Sequence, residues 1–233
     1  ASRGLGDVYK RQPSNLPHPE TTAPERSPSR DIASPDFPAG GVAVVILVVT
    51  ALFVLTQLYA AIPLLSPVAA DLGADATFAL STSFSLTYAV GFLIWGPISD
   101  RYGRKRVMAV AIGVLAVATL VCATASSVPV MAALRALQGL SAAGFAPVAL
   151  AYLTEAVAPN RRAGAIGAMS TAFLVAGIFG QVVASTVALQ AGWSWFFVLC
   201  GVVLAITFVL ILTLVTEAPK HAPSMSLLKQ FGN

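Results

Sequence analysis

Six apolar stretches dominate this sequence: Val42 to Leu65, Phe78 to Ile98, Val107 to Ala125, Val128 to Leu153, Ala163 to Leu189 and Trp193 to Val215. Each is long enough to cross roughly 30 Å of hydrocarbon at ~1.5 Å per residue. A lipid interior offers the backbone no hydrogen-bond partner, so only helices or a closed barrel can traverse it. The sequence lacks the roughly ten-residue alternating segments of a barrel. A chain that is 57% hydrophobic and 10% charged, with a mean hydropathy of +0.80, is also too apolar for a soluble domain. The expected fold class is therefore an all-α membrane protein with six transmembrane helices.

Several functions are excluded early. Cys122 and Cys200 both lie inside apolar runs, which rules out a disulfide-stapled scaffold. His18 and His221 lie outside every span, which removes histidine-based metal sites and Ser/His catalysis from the membrane. An intramembrane protease of the rhomboid type would need a histidine on a membrane helix, so no catalytic residue, metal or cofactor is expected.

Residues 2–12, SRGLGDVYKRQ, back-translate in frame to a sequence resembling a transposon adapter used in library preparation. Residues 1–12 thus read as a sequencing scar and are excluded from fold reasoning. Leaving out Arg3, Lys10, Arg11 and Asp7 removes three bases and one acid, lowering the formal charge from +4 to +2. That balance gives no support for a nucleic-acid partner. Residues 13–40 are rich in Pro and Ser and read as a disordered tail.

Lys and Arg set the orientation, because they are retained on the cytoplasmic side. Arg26 and Arg30 precede the first span; Arg101, Arg104, Lys105 and Arg106 follow the second; Arg161 and Arg162 follow the fourth; Lys220 and Lys229 follow the sixth. The loops after the first, third and fifth spans contain neither residue type. Both termini are expected in the cytoplasm.

The loop after the second span reads GPISDRYGRKR, Gly96 to Arg106. Asp100 stands beside four basic residues, Gly103 permits a tight reversal, and Gly96 allows another helix to approach closely. Such a cluster can form a charge latch; the plainer alternative is a basic loop that only sets topology. The segment resembles the signature G-x-x-x-D-R-x-G-R-[KR] between the second and third helices of major facilitator superfamily transporters. Within ALRALQGLSAAGFAP on the fourth span, Arg135, Gln138 and Gly139 resemble the R-x-x-q-G pattern of the same superfamily. A charge at that depth costs at least ~2.5 kcal/mol to insert, so Arg135 should face a cavity or a partner, unless its head snorkels to the nearby interface. The resemblance to drug:proton antiporters makes Arg135 the candidate for proton coupling, and its replacement by Ala is expected to lower coupling more than expression. The resemblance also assigns Glu155, at the end of the fourth span, to the cluster of Asp100, Arg101 and Arg104; a solvent-exposed Glu near Arg161 and Arg162 is the alternative.

On the fifth span, Gly164, Ala168, Ala172, Ala176, Gly180, Ala184 and Ala188 recur every fourth residue, a pattern that permits close helix crossing, although the chain is alanine-rich throughout. Gln181 stands where antiporters of the superfamily carry the proline of a Gly-Pro motif, a departure that weakens assignment to the proton-exchange subgroup. The stretch Gln57 to Gly73, QLYAAIPLLSPVAADLG, resembles bacterial drug and sugar efflux members. Gln57, Tyr59 and Tyr88 are candidate cavity residues, with Gln57 expected to touch substrate; interhelical hydrogen bonding, or an interfacial position for the tyrosines, is the alternative. No Asp or Glu lies within the six stretches, so a proton-carrying carboxylate would have to be Glu155 or lie outside this chain.

The resemblance implies one bundle of the major facilitator fold, built of 3+3 inverted repeats over residues 41–219, with 220–233 opening a central cytoplasmic loop. The partners it implies are the lipid bilayer, a small-molecule substrate, protons as a coupling ion, and either a missing C-terminal six-helix bundle or a second copy of the chain. A fragment is favoured over a natural half-transporter. The expected function is secondary active transport by alternating access in the inner membrane, with efflux favoured and sugar or metabolite transport as the alternative.

Overall fold

The computed structural model describes residues 39–218. The adapter-like segment 1–12, residues 13–38 of the Pro/Ser-rich tail and the segment 220–233 lie outside the described residues. Among the described residues there are eight α-helices and no strand: α1 (Gly41–Tyr59), α2 (Ala61–Leu72), α3 (Ser83–Tyr102), α4 (Arg104–Cys122), α5 (Val128–Ala142), α6 (Ala146–Ala156), α7 (Pro159–Ala191) and α8 (Trp193–Leu214), with a π-helical turn at Phe78–Thr82 leading into α3. Joined where they run on, they give six helices long and apolar enough to cross a membrane.

The boundaries depart from the apolar stretches for identifiable reasons. Pro63 has no N–H to offer the carbonyl four residues back and its ring crowds that turn, so the first span breaks at Ala60 and restarts as α2. Pro147 acts similarly in the fourth span, where α5 stops at Ala142 and α6 begins at Ala146. The second, fourth and fifth spans continue past their last apolar residue, because a helix leaving the hydrocarbon keeps its internal hydrogen bonds in water. Gly103 (φ +99°) and Gly192 (φ +96°) end α3 and α7 in a conformation that side chains rarely adopt.

The first span packs chiefly on the fifth, the second on the fourth, and the third on the sixth. Exchanging the first three spans for the last three turns the first·fifth pair into the fourth·second pair and maps the third·sixth pair onto itself. The Pro-induced breaks fall in the first and fourth spans, which are themselves exchanged. This is the arrangement of an inverted repeat.

Small residues make these contacts possible. A Cβ on Gly139 would fall onto the Phe84 carbonyl group and the Thr87 hydroxyl, and one on Gly91 would lie 2.6 Å from Ala143 Cβ. The seam between the second and fourth spans is further tied by Thr87 Oγ1 donating to Ala136 O (2.8 Å) and Trp95 Nε1 donating to Leu140 O (2.7 Å). Gly139→Val is expected to lower the stability of the purified protein by about 1–3 kcal/mol or prevent its folding, read as the melting temperature and as monodisperse yield in detergent. Buried Leu47, Met108, Ile112, Leu115, Phe145 and Tyr152 fill the interior, whereas Leu93 on the second span and Leu174 on the fifth point outward at 80% exposure.

Candidate functional site

The charged cluster lies at one end of the bundle, where α3 turns into α4. The Arg104 guanidinium stands 2.5 Å from Asp100 Oδ1 and 2.9 Å from Glu155 Oε1, with Nε at 3.3 Å from both Glu155 oxygens, and Nη1 donates to Ser99 Oγ at 2.5 Å. The turn at Gly103 thus brings together three residues of the sequence motif and one from the end of the fourth span. Asp100 is 64% exposed, so its pair with Arg104 is worth only ~0–1 kcal/mol, while Arg104 (17%) and Glu155 (29%) are better shielded. Every member sits at the helix end that disfavours it: Asp100 and Glu155 in the last turns of α3 and α6, where the dipole is negative, and Arg104 at the first position of α4, where it is positive. Pairing with Arg104 offsets this small helix-end penalty for both carboxylates.

Other motif residues lie apart from this network. Arg101 is exposed, its guanidinium 5.6 Å from the Tyr102 ring centroid. Gly96 meets open space, and the close approach of the second span is made at Gly91, about 140° round the helix at 3.6 residues per turn.

A residue outside the sequence motifs completes this end. Glu217, just beyond α8, accepts the Lys105 N–H (3.1 Å), one of the orphan donors in the first turn of α4. Its carboxylate lies 2.9 Å from where a Gly103 Cβ would be. The only signal in the sequence is an acid immediately after the last apolar run. It gains meaning only once the third and sixth spans are known to pack together.

A second cluster lies inside the bundle. Arg135 is 1% exposed and donates through Nε to Leu80 O, through Nη1 to Gln138 Oε1 and through Nη2 to Gln57 O, all at 2.9 Å. Its guanidinium lies 4.3 Å from the centroid of the Phe84 ring. Leu80 belongs to the π-helical turn and Gln57 lies just before the break at Ala60, so carbonyls at two helix irregularities receive the cation. Gln138 Nε2 passes the chain to Thr119 Oγ1 (2.8 Å), and Thr119 to Leu115 O (2.7 Å). The Arg135 guanidinium is thus turned inward onto acceptors of the bundle.

Gln57, a candidate for contact with substrate, lies inside the bundle. Gln57 and Gln138 are fully buried between helices, and the void beside Gln57 and Arg135 is too small for a water molecule. Gln57's amide faces the thiol of Cys200. Tyr59 and Tyr88 are partly exposed; Tyr88 stacks on Phe84 (5.8 Å) and meets the edge of Phe92 (4.8 Å), and Tyr59 faces Gly177. On α7, Ala172, Ala176 and Gly180 are buried, and a Cβ on Gly180 would lie 3.1 Å from Thr56 Cα. Gly164 and Ala168 are exposed, because a four-residue repeat drifts about 40° per step round a helix of 3.6 residues per turn. Gln181 is exposed and donates to Gly177 O (3.0 Å).

At the opposite end, the Trp193 indole N–H donates to Asp71 (2.6 Å), tying α2 to α8. The Thr77 N–H donates to Asp75 (2.6 Å) and holds that carboxyl below the usual carboxylate range.

The chain matches the Major Facilitator Superfamily profile over residues 47–230. It is 31% identical over 142 residues to an uncharacterized MFS-type transporter of Mycobacterium tuberculosis, covering 61% of this chain and 24% of that protein. It is 33% identical over 129 residues to the inner membrane transport protein YnfM of Escherichia coli, covering 54% and 31%, and 24% identical over 155 residues to Multidrug resistance protein 3 of Bacillus subtilis, covering 66% and 30%. Among solved structures, a peptide transporter POT in complex with sulfate superposes with a TM-score of 0.68 at 15% identity, covering 84% of this chain and 44% of that one. A bacterial homolog of the human lysosomal transporter Spinster, inward-facing and unoccupied, gives 0.66 at 18% identity, covering 77% and 43%. The six-span bundle with its charged turn is thus of the membrane-transporter class. The chain belongs to the Major Facilitator Superfamily, and it spans roughly a quarter to a third of the length of these curated relatives.

Proposed function

We propose that this bundle is one half of a secondary active transporter that exports a small amphiphilic molecule by alternating access, with Asp100, Arg104 and Glu155 as the latch of one closed state. The observation that carries this reading is the Arg104 guanidinium, shared between carboxylates from two helix ends that each disfavour the charge they bear. A partly exposed ion network of modest strength is suited to being made and broken. The breaks in the first and fourth spans, at corresponding positions of the two repeats, mark the flanks of the substrate path. The second and fifth spans, which bury the smallest share of their surface, are the seats for a second six-helix bundle. Tyr59 and Tyr88 are the polar groups offered to a substrate, and Arg135, Gln138 and Gln57 act from within by holding the broken helices together. Export of drug-like compounds is supported by the relative named as a multidrug resistance protein. The Lys and Arg distribution supports termini in the cytoplasm and a place in the inner membrane.

The test is ethidium efflux from cells carrying the gene, alongside glucose flux as the competing substrate class. Faster ethidium clearance, lost when the gene is removed, supports export. Glucose flux without ethidium clearance would replace that reading with metabolite transport. Alkylation of Arg101→Cys by an impermeant maleimide in inverted vesicles, and not in intact cells, is the result expected of a cytoplasmic charged end.

A further inference from the structure

We propose that Glu217 is a positioning residue of the latch: by accepting the Lys105 N–H and closing over Gly103, it sets where the Arg104 guanidinium stands. This ties the polypeptide leaving the sixth span to the ion pairs between the second and third. The proposal rests on the latch reading above for its functional meaning.

Three observations support it. Glu217 accepts the backbone N–H of the residue directly after Arg104, so its carboxylate fixes the peptide unit from which the Arg104 side chain springs. It packs beside Gly103, with Oε1 2.9 Å from where an added Cβ would stand, at a turn whose φ of +99° favours glycine. A carboxylate at the N-terminus of α4 is also at the helix end that favours it, unlike Asp100 and Glu155. Glu217 is thus the fixed anion of the cluster, and Arg104 the part that it aims. When the chain beyond α8 is drawn away from the bundle, the turn loses its stop and Arg104 loses its register with Glu155.

The test uses Ser99→Cys as a reporter. Ser99 is 1% exposed and is covered by the Arg104 guanidinium, while the native Cys122 and Cys200 are buried. The full-length protein as its gene encodes it is solubilised in detergent, and the maleimide reaction rate at position 99 is measured on monodisperse material. The reading needs no substrate, so its outcome is separate from any outcome in flux.

Glu217→Ala is expected to speed alkylation roughly tenfold, the effect of losing one charge-assisted hydrogen bond. Glu217→Gln keeps an acceptor for the Lys105 N–H and should stay within about threefold of the parent. Glu217→Asp, whose shorter side chain keeps the charge but reaches less far toward the Lys105 N–H, should fall between the two. If Glu217→Ala yields no folded protein, Glu217→Asp and Glu217→Gln carry the same comparison. An unchanged rate in Glu217→Ala or Glu217→Asp, or equal acceleration by Gln and Ala, would overturn the proposal.

Discussion

Replacing Arg135 by alanine should cost the bundle at least ~3 kcal/mol, because three acceptors lose their donor inside a dry interior and each orphan costs about 1–3 kcal/mol. The Leu80 and Gln57 carbonyls sit at a π-helical turn and beside a helix break. Gln138 would lose its anchor and leave Thr119 as its partner. Removing the side chain also opens a cavity against Phe84. The resemblance to proton-coupled antiporters led to the expectation that coupling would suffer more than amount. Burial points instead to a loss of folded protein, seen as a lower melting temperature and a smaller monodisperse fraction in detergent. Arg135→Lys should fall in between, since an ammonium keeps the charge but cannot reach three acceptors in the planar fork of a guanidinium. A melting temperature unchanged by Arg135→Ala would show that the cluster does not hold the first, second and fourth spans together.

Arg104→Ala should act in the opposite manner, with little effect on stability and a large one on turnover. Its partners are partly exposed, so the change should shift stability by only about 1–2 kcal/mol. Ethidium efflux per inserted molecule should fall at least tenfold, about 1.4 kcal/mol in the balance of closed and open states. Lys105→Arg preserves the backbone N–H used by Glu217 and should leave efflux near the parent level. A stable Arg104→Ala protein that still exports at the parent rate would separate the cluster from transport.

Much of the fold could be read before any coordinates, since span count follows from hydrocarbon thickness and apolar length alone. The helix ends could not be placed from hydropathy, because α3 runs on through polar Ser99 to Tyr102 until Gly103 stops it. The breaks near Pro63 and Pro147 were not legible in the apolar runs, since Pro67 and Pro97 sit within continuous helices, and their correspondence emerges only when the pairing of spans is known. For the charged turn, residue identity and spacing sufficed to nominate Asp100 and Arg104, because both lie within five residues of one reversal. Glu217 is more than a hundred residues away, and its role depends on the third span packing against the sixth. The inward direction of Gln57 was illegible for a similar reason: depth along a helix can be counted from the sequence, but which way a residue faces depends on neighbours. In a span apolar on all sides no polar stripe marks the inner face.

The account turns on the Arg104–Glu155 pair being a working contact of the transport cycle, and exchanging the two charges tests that most directly. Arg104→Glu and Glu155→Arg should each lower ethidium efflux per inserted molecule by at least about tenfold, since each places like charges in contact. The double exchange should recover several-fold over either single change yet stay below the parent, because it restores the 104–155 attraction with the polarity reversed but leaves Asp100 beside a like charge. Single variants that export at the parent rate, or a double variant no better than the worse single one, would contradict the claim.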